Sequence, residues 1–158
     1  MLTTPFVPKR LAGKNEATEL LRLVVFNAAE YWLGMPISSV IKVVPCPTII
    51  SNNNQGIGMI RMGHHSITVV DLYFRFNQQP IASPQFLILT FTARREVFAI
   101  PTDRVPGMVE VPLESIVPLP PSYRKVDALG LASHMAVVEQ EEEVFSIYLL
   151  ELGNFEFN

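Results

Sequence analysis

Two aspartates, three histidines and one cysteine are the side chains in this sequence whose types and spacing invite chemistry. Asp71 ends the run Ser66-Ile67-Thr68-Val69-Val70, and Asp103 follows Ile100-Pro101-Thr102. A carboxylate pair can divide proton transfer between an acid and a base. Both aspartates also stand where strand-like runs end, and there a carboxylate caps backbone N–H groups through short hydrogen bonds. We expect capping, and therefore a structural role for both. His64-His65 with His134 raises metal binding, but neighbours on a strand point to opposite faces. No His or Cys stands nearby at ligand spacing, so turn or surface roles and no metal are expected. Cys46, between Pro45 and Pro47, lacks the local His or acid that marks a nucleophile; a buried or partly buried thiol is expected. No phosphate-cradling Gly loop, nucleophile elbow, HExxH or paired CxxC occurs. The expectation is a non-enzyme without a cofactor. The alternative is a small-molecule-binding or catalytic β-barrel that gathers Asp71, Asp103 and histidines in one cleft.

The elements that must position these residues are short and β-prone. The stretch from Gly56 to Phe76 reads as two strands, Ile57–Met62 and Ser66–Asp71, joined by a turn through Gly63-His64-His65. Leu20–Asn27, Tyr31–Met35, Val40–Val44, Phe86–Thr92, Val97–Ile100, Met108–Val111, Met135–Val138 and Val144–Leu152 read as further strands. A helix through Glu16–Phe26 competes with the first of these, but Val24-Val25 and Phe26 favour strand. Single helical turns are expected at Pro36–Ser39 and Pro112–Ser115, the latter with Pro leading. Ile116 to Tyr123 reads as an extended proline-rich connection. Ser51–Gln55 suits turn geometry. About ten strands and no long helix predict an all-β barrel or sandwich. Residues 1–19 are expected to form a loosely held arm, and residues 20–158 one domain whose two lobes part near the Gln- and Pro-rich stretch 77–85.

Composition narrows the function classes. Charged residues make up 17% of the chain and apolar ones 49%, a balance that leaves apolar surface for a partner or fills a dense β core. The net charge of −3 gives phosphates little to hold, so neither nucleic acid nor an anionic membrane surface is an expected partner. One cysteine closes no intrachain disulfide, Pro5, Pro8, Lys9 and Arg10 interrupt any signal-peptide core, and no apolar run is long enough to span a bilayer. A cytoplasmic setting is expected. Arg94-Arg95 and Glu139–Glu143 read first as solvated hairpin tips. The glutamates also discourage edge pairing, and the arginines can meet an acidic partner.

The order of motifs resembles the CheW family of chemotaxis coupling proteins from about Leu20 to Leu152. Val24, Val25, Phe26, Gly34, Met35, Ile37, Val40 and Val43 are similar to its first-lobe entry, and Gly58 to Asp71-Leu72 to its central block. Ile100-Pro101-Thr102-Asp103-Arg104-Val105 resembles I-x-V-D-x-V, Ile116-Val117-Pro118-Leu119-Pro120 resembles I-x-P-x-P, and Gly130-Leu131 resembles its G-φ motif, with Gly130 structural. The resemblance implies two five-stranded SH3/OB-like barrel lobes sharing strands. It also implies a non-catalytic adaptor between the cytoplasmic tips of chemoreceptors and the regulatory domain of a histidine kinase. The family's Asn-Leu-Arg-Gly turn is replaced here by Arg61-Met62-Gly63-His64. With Gly58 and Asp71 as anchors the family's arginine falls on Gly63; a shifted register pairs it with Arg61. A divergent branch serving pilus motility or phototaxis would carry such a change. The protein-binding residues expected are Lys42, Val43, Gly58, Arg61, Gly63 and His64, on the central turn and on a strand taken to lie beside it. Arg61 would meet a partner backbone or carboxylate, and Gly58 and Gly63 would admit a partner's backbone.

Overall fold

The computed structural model describes residues 19–47, 51–52, 56–124 and 131–151. The expected arm falls outside these except for Glu19, as do Gly130 and the last three residues of the Ser51–Gln55 turn. Among the described residues, twelve strands form two six-stranded sheets, one per lobe. The chain passes from one lobe to the other after Ile37 and returns after Pro106. The stretch 77–85, expected to part the lobes, instead lies inside the second one. Its Gln and Pro content marks a loop, and a loop between strands of one sheet has the same composition as a linker.

The first lobe is built on β1 (Leu20–Ala28), β2 (Tyr31–Pro36), β9 (Gly107–Pro112), β10 (Ile116–Pro118), β11 (Ala132–Gln140) and β12 (Glu143–Leu150). Their order in the sheet is β10-β11-β12-β2-β1-β9. Leu20 begins a strand and not a helix, because the β-branched pair Val24-Val25 and Phe26 sit better on a pleated surface than against a helical turn. Residues Leu23–Phe26 are all buried, so both faces of β1 are covered there. Ala29 turns the chain at φ 58° into β2. A parallel pairing sets β12 against β2, with Tyr148 level with Leu33 and Leu149 with Gly34. Gly34 is required at that approach: a Cβ there would stand 2.9 Å from Ile147 Cγ2. Leu23, Val25, Val109, Val111, Ala136, Val138, Ile147 and Leu149 make the core, and burying each large aliphatic contributes about 1.5–3 kcal/mol. A 3-10 turn, Leu113–Ser115, links β9 to β10, with Ser115 Oγ donating to Pro112 O at 2.7 Å. After β10 the chain is not wholly extended, since Pro121–Arg124 forms a short helix, α2.

The second lobe has the order β3-β7-β8-β6-β5-β4. Its strands are β3 (Val40–Pro45), β4 (Ser51–Asn52), β5 (Ile57–Met62), β6 (His65–Val70), β7 (Phe86–Phe91) and β8 (Val97–Thr102). Ile60, Val69, Leu87, Leu89 and Ala99 form its core, with Val44, Cys46, Met62 and Ile67 packed against it. Between β6 and β7 stands a helix not anticipated from sequence, α1 (Leu72–Asn77). The two-lobe all-β reading holds. The finer count is six strands per sheet, each strand belonging to one sheet, because short β4 and β10 each add an edge.

Candidate functional site

The β5–β6 hairpin and the helix that follows it are organised around Asp71. Its backbone N–H donates to Gly56 O at 2.8 Å, closing the open end of the hairpin. Its carboxylate is buried and accepts three backbone N–H groups. Oδ1 takes those of Tyr73 at 2.9 Å and Phe74 at 3.3 Å, and Oδ2 takes that of Ile81 at 2.8 Å. Asp71 therefore leaves β6 and becomes the N-cap of α1, satisfying donors the first helical turn cannot satisfy itself. The Ile81 bond also pulls the loop after α1 back to the helix start. Gln78, at φ 59°, ends the helix in left-handed geometry, its N–H donating to Phe74 O.

Asp103 is used differently from the expectation. It is exposed and accepts from a side chain, the Tyr73 hydroxyl, at 2.9 Å. Burial, and then the hydrogen bond and negative charge of Asp103, push the Tyr73 phenol well above its ordinary range. Sequence reasoning missed Tyr73. The available signal was an aromatic with a polar tip two residues after a capping aspartate. Neither aspartate meets a histidine: His64, His65 and His134 are exposed, and His134 Nδ1 lies 2.8 Å from Ser133 Oγ. Among the described residues no group of three His, Cys, Asp or Glu side chains can hold a metal ion. Cys46 is partly buried, its thiol donates to Pro47 O at 3.2 Å, and burial pushes its pKa up.

The hairpin turn is tighter than the three residues expected. Met62 pairs with His65, so Gly63-His64 is a two-residue loop with positive φ at Gly63 alone, the pattern of a type II′ turn. A Cβ at Gly63 would meet nothing within 4 Å, and Gly63 and His64 are exposed. Strand alternation sorts the other candidates. Met59 and Arg61 share a face with their cross-strand partners Thr68 and Ser66. Met59 is 41% exposed, and Arg61 makes no hydrogen bond or ion pair with another described residue. Gly58 lies on the other face, opposite Val69 of the core, and is paired on its far side with Asn52. It does not join Arg61 in one surface.

Lys42 and Val43 are also separate. The strand that carries them, β3, does not lie beside the hairpin in the sheet, because β7 and β8 intervene. Lys42 is level with Leu89 and Val43 with Ile88, so the two point to opposite faces. Both are exposed, as is Ile41 at the irregularity between Val40 and Lys42. The structure thus brings Arg61, Gly63 and His64 together at one hairpin end with Met59, and leaves Lys42 and Val43 elsewhere.

A family model described as a CheW-like domain matches residues 22–148. The chain belongs to the CheW-like domain family. The crystal structure of the scaffolding protein TtCheW from Thermoanaerobacter tengcongensis is similar over 95% of this chain and 96% of that one, with a TM-score of 0.72 and 23% sequence identity. That likeness carries the fold of two β lobes. No curated protein matches the chain. Among the described residues no helix is long and apolar enough to cross a membrane.

Proposed function

We propose that this chain is a non-catalytic adaptor of a bacterial chemotaxis-type signalling system, joining the cytoplasmic tips of chemoreceptors to the regulatory domain of a histidine kinase. The observation that carries this reading is the CheW-like family match across residues 22–148. The TtCheW relative is described as a scaffolding protein, and a scaffolding role fits the chemistry of this chain. The buried carboxylate of Asp71 is spent on backbone N–H groups and the exposed one of Asp103 on a tyrosine, and among the described residues neither meets a histidine. Residues 20–158 act as one CheW-like domain, in the cytoplasm. A kinase or receptor surface is met at the exposed end of the β5–β6 hairpin. Met59 supplies apolar contact, Arg61 a hydrogen bond or ion pair to a partner backbone or carboxylate, and Gly63-His64 a turn with open space around it. Apolar burial gives such contacts their affinity, and rim charge gives them selectivity. Lys42 and Val43, on β3, belong to a separate contact.

Affinity capture from a lysate of the native cell tests the role. The tagged chain is expected to retain a histidine kinase and a chemoreceptor, and to stimulate or redirect kinase phosphorylation when the three are mixed. Retention of neither, with kinase activity unmoved, contradicts the adaptor reading.

A further inference from the structure

Two buried threonines hold the stretches of chain that cross between the lobes. Thr90 on β7 and Thr102 on β8 are 0% and 1% exposed, and a hydroxyl sealed from water needs a partner. Thr90 Oγ1 donates to Ser39 O at 2.6 Å, and Thr102 Oγ1 donates to Arg104 O at 2.7 Å. Ser39 ends the 3-10 turn Ile37–Ser39 on the outgoing crossover, and Arg104 stands on the returning one, between β8 and β9. Both carbonyls belong to the second lobe. The returning crossover is tied down further. Asp103 accepts the Tyr73 hydroxyl at 2.9 Å, and Thr102 O accepts the N–H of Gln85 at 2.8 Å.

The two clamps stand at opposite ends of one ladder. Thr90 pairs with Phe98 and Thr102 with Phe86, so a strand length of roughly 13 Å separates them. On the first-lobe side the last rungs are Pro36 against Leu23 and Gly107 against Val25, and Leu23 and Val25 are fully buried. Between rung and clamp each crossover keeps a short remainder, Ile37-Ser38 going out and Val105-Pro106 coming back. Ile37 is 40% exposed and Val105 67%, so neither side chain anchors its segment in a core.

We propose that both crossovers move as part of the second lobe, and that the lobes turn against each other at Ile37-Ser38 and Val105-Pro106. Hinges are a few residues at element ends that absorb dihedral change while the elements beside them stay rigid. Movement of two compact units within one chain is the ordinary expectation. Two pivots held apart by one ladder allow turning about the line through them and resist twisting across it. Thr90 and Thr102 are thus positioning residues, whose hydroxyls decide where the chain bends. This device goes beyond the adaptor role and does not depend on it.

Residual dipolar couplings of backbone amides, measured on the whole chain in a stretched polyacrylamide gel, test it. In the wild type the amides of Ser39, Asp103 and Arg104 are expected to fit the alignment of the β7–β8 ladder. Those of Leu23, Val25 and Met108 are expected to fit a second alignment of different strength. Thr90→Val with Thr102→Val should take the three crossover amides out of the second lobe's alignment and widen the difference between the lobes. Thr90→Ser with Thr102→Ser keeps both hydroxyls and is expected to match wild type. Core amides of β1 and β7 that still fit in each variant show that the fold is intact, and the wild-type measurement decides the pivots without any variant. One alignment for the whole chain, crossover amides that follow the first lobe in the wild type, or a valine pair indistinguishable from wild type overturns the proposal.

Discussion

The hydroxyl of Tyr73 donates to Oδ1 of Asp103 at 2.9 Å, tying the first turn of α1 to the loop that follows β8. The same residue's backbone N–H donates to Asp71. One tyrosine therefore bridges two aspartates that reading the sequence had considered as a catalytic pair. The hydroxyl–carboxylate bond is partly exposed and contributes about 0.5–1 kcal/mol. Tyr73→Phe is expected to lower stability by that amount at neutral pH. An unfolded tyrosine ionises near pH 10, and the folded phenol is held higher by burial and by Asp103. The stability it supplies is therefore fully present below about pH 10 and is lost as pH rises through the folded value. Denaturant unfolding of both proteins at neutral pH and above pH 10 checks this. The gap between them should narrow in alkali, and a constant gap would contradict the assignment.

Asp71 is the stronger anchor, because removing it strands three buried or partly buried donors at once. Asp71→Ala is expected to cost about 2–4 kcal/mol, combining a lost helix cap with charged hydrogen bonds. Asp71→Asn keeps an acceptor oxygen and should cost less. Equilibrium unfolding ranks the two, and amide exchange at Phe74 and Ile81 should accelerate in the alanine variant. Equal stabilities for alanine and wild type would mean the carboxylate does not organise this lobe.

The two positive-φ glycines of the central segment should respond unequally. At Gly56, φ is 77°, and an added Cβ would stand 2.9 Å from Phe74 Cβ and Cδ1. At Gly63, φ is 63° and the space is open. Gly63→Ala carries only the left-handed backbone penalty, about 1–2 kcal/mol, whereas Gly56→Ala adds a clash with a helix held by Asp71. Thermal melts should show the larger loss for Gly56→Ala. A reversed order would mean that α1 yields more readily than its hydrogen bonds imply.

Much of this architecture was legible in local pattern. Val24-Val25-Phe26 marks β1, the alternation of β5 and β6 marks a hairpin, and the charged run between Phe91 and Val97 marks another. Helix α1 was not legible, because Tyr73, Phe74 and Phe76 are aromatics that suit strands. What makes the segment helical is the Asp71 carboxylate and its bond to Ile81, a contact ten residues away. The pairing of β12 with β2 and of β6 with β8 was equally hidden, since parallel partners lie far apart in sequence and turn signals do not reach them. For the same reason Lys42 was assigned to a strand beside the hairpin, when two strands separate them. Arg61 and Met59 could be grouped by alternation alone, and the same rule excludes Gly58.

The central claim is that this chain works by binding a kinase regulatory domain through the exposed hairpin end that carries Arg61. Isothermal titration of that domain into wild-type protein and into Arg61→Glu tests it most directly, with melts confirming that both are folded. Saturable binding to wild type and at least a tenfold weaker affinity for the variant, about 1.4 kcal/mol, is the expected result. Equal affinities would remove the hairpin from the interface, and no binding to either would contradict the account.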